Sequence, residues 1–293
     1  MTRAIALSLR HAPVESFLRE ARRIFGKMPV MRWMFDTFPT IWILIVPVVL
    51  SFLAIVLITW IVRRLVPETR EAFHAEISAP MLGAVAALLG LLLAFAIIIG
   101  YQGFLSTEAS LRQEADDLAS IMRDIEFFPE PGASLVGRAV ADYAQSVVDD
   151  EWEAMARKGE ESPVASARFD DVFTAFGAVH PKTEQQIAFY NSSVEKVNSA
   201  VGARRARIAA ADAGLSMVLL GLIIFSSMVL VFYALMTGST SFWFHVLGPA
   251  TMTVVIVASI FVLMDLAYPF SGGVMLRPED FAKGGLSGLV VKP

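Results

Sequence analysis

The sequence predicts an all-α integral membrane protein: four transmembrane helices, with a helical, water-exposed domain inserted between the second and the third. Three observations lead there. The 293 residues are 56% hydrophobic and 18% charged, too apolar for an ordinary soluble domain and too mixed for a chain wholly in lipid. The apolar residues gather into two pairs of long uncharged runs. Between the pairs lies a polar stretch, about 106–212, whose apolar residues recur every three or four positions, the period of packed helices.

A helix needs roughly 20 apolar residues to cross the hydrocarbon core. The first run extends from Ile41 to Val62, with Trp42 and Trp60 near its ends and Arg63 and Arg64 stopping it; indole rings favour the membrane interface. The second extends from Met81 to about Leu105, the third from about Ala213 to Met236, and the fourth from His245 to about Met264, between Trp243 and Asp265. Four uncharged runs of this length argue against buried core helices, and a helix satisfies its own backbone in lipid. The chain therefore divides into a basic amphipathic segment (1–38), spans one and two (39–105), a helical domain (106–212), spans three and four (213–268) and a C-terminal tail (269–293).

Orientation follows from lysine and arginine near the span ends. Twelve lie on the side of the N terminus (Arg22, Arg23, Lys27, Arg32, Arg112, Arg123, Lys196, Arg204, Arg205, Arg207, Arg277 and Lys283) against Arg63, Arg64 and Arg70 on the other. Both termini and the inserted domain are expected in the cytoplasm, although the Arg63–Arg64 pair argues the other way. The start of the chain does not read as a cleaved signal peptide, because its apolar core, Ala4 to Leu9, is short and runs into Arg10 and His11.

Residues 14–38 read as a basic amphipathic helix, kinked at Pro29, with Phe17, Phe25 and Phe35 on one face and Arg19, Arg22, Arg23 and Lys27 elsewhere. Such a helix lies on anionic lipid or packs on a cytoplasmic domain; the pattern leaves both open. In the inserted domain, Leu111, Ala115, Leu118, Met122 and Ile125 form one helical stripe, Val136, Val140, Tyr143 and Val147 another, and Ile187, Tyr190, Val194, Val197 and Val201 a third. Pro129–Gly132, Gly159–Pro163 and His180–Pro181 punctuate them. The second span is expected to continue into this domain toward Phe128, and the last helix of the domain to run on into the third span. The domain has eleven Lys or Arg against nineteen Asp or Glu, a formal charge of −8. That is a solvated surface or, more sharply, a negative field at a pore mouth that attracts cations.

Chemistry is notable for what is missing. There is no cysteine, hence no disulfide or thiolate site, and no GxxxxGK[ST], HExxH or GxSxG motif. His11, His74, His180 and His245 are scattered, and the carboxylates Asp116–Asp117 and Asp149, Asp150, Glu151 and Glu153 read as solvated faces. No catalytic residue, metal site or cofactor is expected, and no basic patch suits nucleic acid.

The second span carries the most information. Gly83, Ala87, Gly90 and Ala94 lie along one face, where small residues let helices approach closely. Leu88, Leu92, Phe95, Ile99 and Gln102 lie on another, facing lipid, which the sequence alone favours, or lining an apolar constriction that gates by dewetting. Gly100 and Gly103 are expected to loosen the helix as it leaves the bilayer. Asp265, at the edge of the fourth span, precedes Pro269 and Gly272. An acid at membrane depth is costly, and a structural role, bonding the turn that follows or pairing with an arginine, comes before a functional one.

The run Asp265, Leu266, Ala267, Tyr268, Pro269, Phe270, Ser271, Gly272 resembles the Asp…Pro-Phe-Ser-Gly signature of the bestrophin-like family, four-span proteins of bacteria and plants. Leu93-Ala94-Phe95, Glu114-Ala115, and Tyr143 followed by Glu151-Trp152 fit in order, and the resemblance covers roughly residues 40–281. It implies a relation to bestrophins, pentameric ion channels whose second spans line a narrow apolar neck. No calcium-clasp or neck motif of those channels has a counterpart in this chain. The resemblance implies a homo-oligomeric ion channel in a bacterial inner membrane, with lipid, an inorganic ion and copies of itself as partners. The alternative is a non-conducting membrane scaffold or sensor whose cytoplasmic helices bind a partner.

Overall fold

A computed structural model of the chain describes residues 40–65, 75–237, 241–282 and 286. The amphipathic segment over 14–38, with Pro29, lies outside the described residues. Among those described there are helices and turns and no strand. In chain order the helices are α1 (Thr40–Leu65), α2 (Ala75–Asp124), α3 (Gly132–Ser146), α4 (Trp152–Lys158), α5 (Pro163–Gly177), α6 (Glu184–Ala213), α7 (Met217–Met236), α8 (Phe242–Ala267) and α9 (Pro278–Ala282). Among the described residues, four helices are long and apolar enough to cross a membrane. The chain divides into a membrane unit, up to Tyr101 and from Leu215 to Ala267, and an extramembrane unit, Gln102–Gly214 with the residues from Tyr268 onward.

In the membrane unit the spans meet along narrow seams. Leu89, Leu93 and Ala96 of α2 pack with Ile223 and Leu230 of α7 and Ile256 and Leu263 of α8. Ile55 of α1 packs with Val246 and Ala250 of α8, and the Arg63 guanidinium lies 5.8 Å from the centre of the Phe242 ring. The numbers ascend along one helix as they descend along the other, so α1 and α8 run antiparallel. This register places Thr59 level with His245, and both are buried. One ring nitrogen of His245, Nε2, lies 2.9 Å from the Leu235 carbonyl, which can only accept, so that nitrogen carries the proton. Its Nδ1 and the Thr59 hydroxyl are buried with no hydrogen-bond partner.

The expected continuation of the second span holds: α2 is one helix of 50 residues, about 75 Å at ~1.5 Å per residue. The loosening expected at Gly100 and Gly103 does not occur. Gly100 instead lets α2 approach α8, since a Cβ there would lie 3.4 Å from the Leu263 side chain. The second expected continuation also fails. Helix α6 stops at Ala213, and Gly214 turns the chain with φ 53° and ψ −168°, a conformation that favours glycine. Three residues separate α6 from α7.

The extramembrane unit is built as its stripes predict. Leu111 and Leu118 of α2, Val136, Val140 and Tyr143 of α3, Val172 and Phe176 of α5, and Val197 and Ala200 of α6 share one core. Ile187, at the start of the third stripe, stays exposed. The breaks fall at the punctuation. Ser162 caps α5 by accepting from the Val164 and Ala165 amides, with Pro163 at the first helical position, and Thr183 and Gln186 form a capping box on α6. Gly159, with φ 67°, ends α4. Between α3 and α4 the helix widens into a π turn, Val147–Glu151. The residues after α8 join this core: Phe270, Leu276, Phe281 and Leu286 are buried in it.

Candidate functional site

Helix α2 shows three faces, each about a third of a turn from the next at ~3.6 residues per turn. Leu89, Leu93 and Ala96 form the face packed within the chain. Gly83, Ala87, Gly90 and Ala94 form a second, exposed along its length; a Cβ added at Gly83 or Gly90 would meet nothing within 4 Å. The small-residue face is therefore open to another helix and stays uncovered among the described residues. Leu88, Phe95 and Ile99 form the third, with 69%, 57% and 63% of their surfaces exposed. Gln102 is exposed on the same face, while Leu92 is half-buried at its edge, against the cluster of Leu89 and Leu93.

The second arrangement is a charge cluster inside the extramembrane unit. Arg207 of α6 is completely buried. Its Nε donates to Glu114 Oε2 at 2.8 Å and its Nη2 to Glu114 Oε1 at 3.0 Å, a forked pair. The same Nη2 donates to Glu151 Oε2 at 2.6 Å. Arg204, one turn earlier, donates to Glu151 Oε1 at 2.5 Å and to the Ser166 hydroxyl at 2.9 Å. The Tyr143 hydroxyl donates to Glu114 Oε1 at 2.5 Å. Rings complete the enclosure: the Arg204 guanidinium lies 5.9 Å from the Tyr143 ring centre and 5.6 Å from that of Phe169, and Arg207 lies 5.9 Å from that of Phe281.

Two carboxylates and two guanidinium groups balance to zero, so the core carries paired charge without net charge. Burial alone would raise the pKa of Glu151, but Arg207 and then Arg204 hold it below the ordinary carboxylate range. Burial works against the charge of Arg207, yet Glu114 and then Glu151 raise its pKa above that of an ordinary arginine. For Tyr143, burial first and the Glu114 charge second push the phenol well above its usual range. It therefore stays a neutral donor. Because Glu114 comes from α2, Tyr143 from α3, Glu151 from the π turn, Ser166 from α5 and both arginines from α6, the cluster ties together the main helices of the unit. The π turn helps aim Glu151 inward, while Asp149 and Asp150 beside it face solvent.

A family model, the Bestrophin-like domain, matches residues 49–281. The chain belongs to the bestrophin-like family. Solved structures give the same fold at low identity. Two variants of a bacterial bestrophin homologue from Klebsiella pneumoniae superpose with TM-scores of 0.62 and 0.61, at 9% and 10% identity. The first match covers 83% of this chain and 97% of the other, the second 84% and 98%. A further variant structure, described as a membrane protein, matches at a TM-score of 0.61 and 10% identity, covering 83% and 97%. No protein of curated function matches the chain in sequence.

In this bestrophin-like chain, several residues singled out by resemblance converge. Glu114 and Glu151 meet on Arg207. Trp152 packs edge-on against Phe270, with ring centres 5.6 Å apart. Ser271 is buried, its amide donates to the Tyr268 carbonyl, the Pro269 carbonyl accepts from Leu276, and Gly272 has φ 116°. These residues form the turn expected after the fourth span. Asp265 is buried at the end of α8, in the membrane unit. Reasoning from the sequence missed Arg204 and Arg207, which entered only as positive charges in the orientation tally. The signal was present: Val197, Ala200, Ala203, Arg207 and Ala211 step by three and four, and Arg207 occupies a core position of that stripe.

Proposed function

We propose that this chain assembles as a homo-oligomeric ion channel of bestrophin-like architecture, with α2 lining the pore. The observation that carries the reading is the unequal use of the three faces of α2. One is packed within the chain. The small-residue face suits the close approach of a neighbouring helix. The face of Leu88, Phe95 and Ile99 would then turn to the axis, with Phe95 and Ile99 at an apolar constriction. Family membership supports the ring, which the resemblance puts at five subunits. The excess of lysine and arginine on one side supports cytoplasmic termini in a bacterial inner membrane, with the acidic inserted unit as a vestibule.

Purified protein reconstituted into liposomes is expected to pass small ions, and Phe95→Ala is expected to raise the flux by widening the constriction. Gly90→Leu, which fills the open face, is expected to break the oligomer to smaller species in mass photometry. Monodisperse protein that passes no ion under any tested salt, voltage or pH would sink the channel reading in favour of a non-conducting scaffold. An unchanged oligomer in Gly90→Leu would sink the assigned interface.

A further inference from the structure

At the end of the membrane unit where α1 finishes and α8 begins, three helices meet on one histidine. His245 of α8 is 3% exposed and Thr59 of α1 not at all. The Leu235 carbonyl of α7 takes the Nε2 proton, so His245 Nδ1 keeps a bare lone pair. That nitrogen and the Thr59 hydroxyl are both buried and unpartnered. The antiparallel register of Ile55 with Val246 and Ala250 puts them at one level of an otherwise apolar seam. Buried polar groups are nearly always hydrogen-bonded, and two orphans at one level ask for a reason. Among the described residues the helices packed here offer no counter-charge. Neither α1 nor α7 contains an Asp or Glu. The single acid of α8, Asp265, lies about 30 Å along the helix at ~1.5 Å per residue. The other titratable groups on these helices are Tyr233 of α7 and, on α1, Arg63 and Arg64. Arg63 stands one turn beyond Thr59 with its guanidinium over Phe242, and Arg64 beside it lies over Trp60.

We propose that His245 Nδ1 and the Thr59 hydroxyl form a buried proton site, and that protonation there releases α1 from α8. The inference goes beyond the channel reading and does not depend on it. The neutral imidazole fits the closed seam, at the cost of two unmade hydrogen bonds. A proton taken from solvent by Nδ1 turns that nitrogen into a donor, and the Thr59 oxygen can then accept from it. One hydroxyl does not offset the desolvation of a whole charge buried without a carboxylate. The imidazolium is therefore satisfied only when water reaches it, and a buried neutral histidine that must charge opens the structure around it. The path for water lies between α1 and α8, where few side chains meet. Helix α8 is also packed on α2 and α7 through Ile256 and Leu263, so α1 is the helix that yields. Acid opens the seam, and return to neutral pH closes it.

The experiment uses full-length protein in lipid nanodiscs, spin-labelled at Leu57→Cys and Leu247→Cys. Both positions are exposed and flank the site on α1 and α8, and the chain has no natural cysteine. Labelled chain is diluted with unlabelled chain so that pairs within one chain dominate. Pulsed electron paramagnetic resonance reads the label-to-label distance at about pH 8 and about pH 5, across the range where histidine ordinarily changes charge. With His245 intact the distance is expected to lengthen at the lower pH by about 3 Å, the width of one water molecule. His245→Gln keeps a donor for the Leu235 carbonyl but takes no proton, and is expected to hold the shorter distance at both. His11→Gln, His74→Gln and His180→Gln together leave His245 as the one histidine and are expected to keep the full shift. Thr59→Asp supplies the missing carboxylate and is expected to hold the seam closed in acid. An unchanged distance at the lower pH overturns the inference, and so does a shift that persists in His245→Gln. Should His245→Gln fail to fold, loss of the shift in the triple variant, or a full opening in Thr59→Asp, overturns it. No current is read in any arm, so a chain that conducts nothing can still show the shift, and a conducting chain can lack it.

Discussion

In the membrane unit Leu88, Phe95 and Ile99 stand exposed, and the helices touch along seams of a few leucines, isoleucines and alanines. In the extramembrane unit Arg207, Glu114 and Glu151 are wholly buried, enclosed by a continuous apolar core. The difference follows from the solvent each unit is built for. Lipid is as apolar as leucine, so burying leucine there gains little, and cohesion rests on close packing. In water, apolar burial drives the fold, and its surplus carries the cost of taking four charges inside. A charge cluster of this kind suits only the unit that has a hydrophobic core around it.

The comparison breaks first at Arg207. Arg207→Met leaves Glu114 and part of Glu151 buried without a cation, and is expected to cost about 3–5 kcal/mol, enough to unfold the extramembrane unit in urea or thermal melts. A variant as stable as wild type would show that the cluster does not hold the unit together. Tyr143→Phe removes one donor to a charged acceptor and is expected to cost about 1.5–3 kcal/mol by the same melts.

A pH titration sharpens the contrast without a mutation. The pKa of Glu151 is lowered in the folded state, by Arg207 and then Arg204 working against burial. Its stabilisation is therefore complete above the ordinary carboxylate range. It is lost as pH falls through the lowered folded-state value. Melting temperature should drop on that acid side, and Glu151→Gln should flatten the limb while lowering stability at neutral pH. An acid limb identical in the variant would refute the assignment.

The smallest expected effect lies in the membrane unit. Thr59→Val replaces a buried hydroxyl that has no partner with a methyl of the same shape, and is expected to stabilise the packing of α1 on α8 by about 1 kcal/mol. Destabilisation in detergent melts would mean that the hydroxyl is satisfied after all, through a water or through His245 Nδ1.

The four spans were legible because each is a local property, about 20 apolar residues in a row. The stripes around Leu118, Val140 and Val197 were legible for the same reason, since helical periodicity is written within one helix. The turn at Gly214 was visible as a glycine but was read through, because the residues on both sides are good helix formers. Glu114 came into view through the family resemblance alone, while Glu151, also read with its acidic neighbours as a solvated face, is in fact buried; nothing in their spacing joins the two. Arg207 was counted as a charge near a span end, where arginine is expected for topology. Its place on the buried stripe Val197, Ala200, Ala203, Arg207 and Ala211 would have told otherwise, but three of those five positions are alanines, which mark a buried face weakly.

By itself, then, the amino-acid order determined the class, the spans, the extramembrane helices and their breaks, because hydropathy and period act over a few turns of one helix. Tertiary structure alone decided that residues 37 to 93 positions apart, Glu151 with Glu114 and Arg207 with each of them, share one neutral cluster. It also decided that, among the described residues, one face of α2 is covered and the other two stand exposed. Pairing of charges and covering of faces depend on which helices meet, and that is settled by the packing of the whole unit.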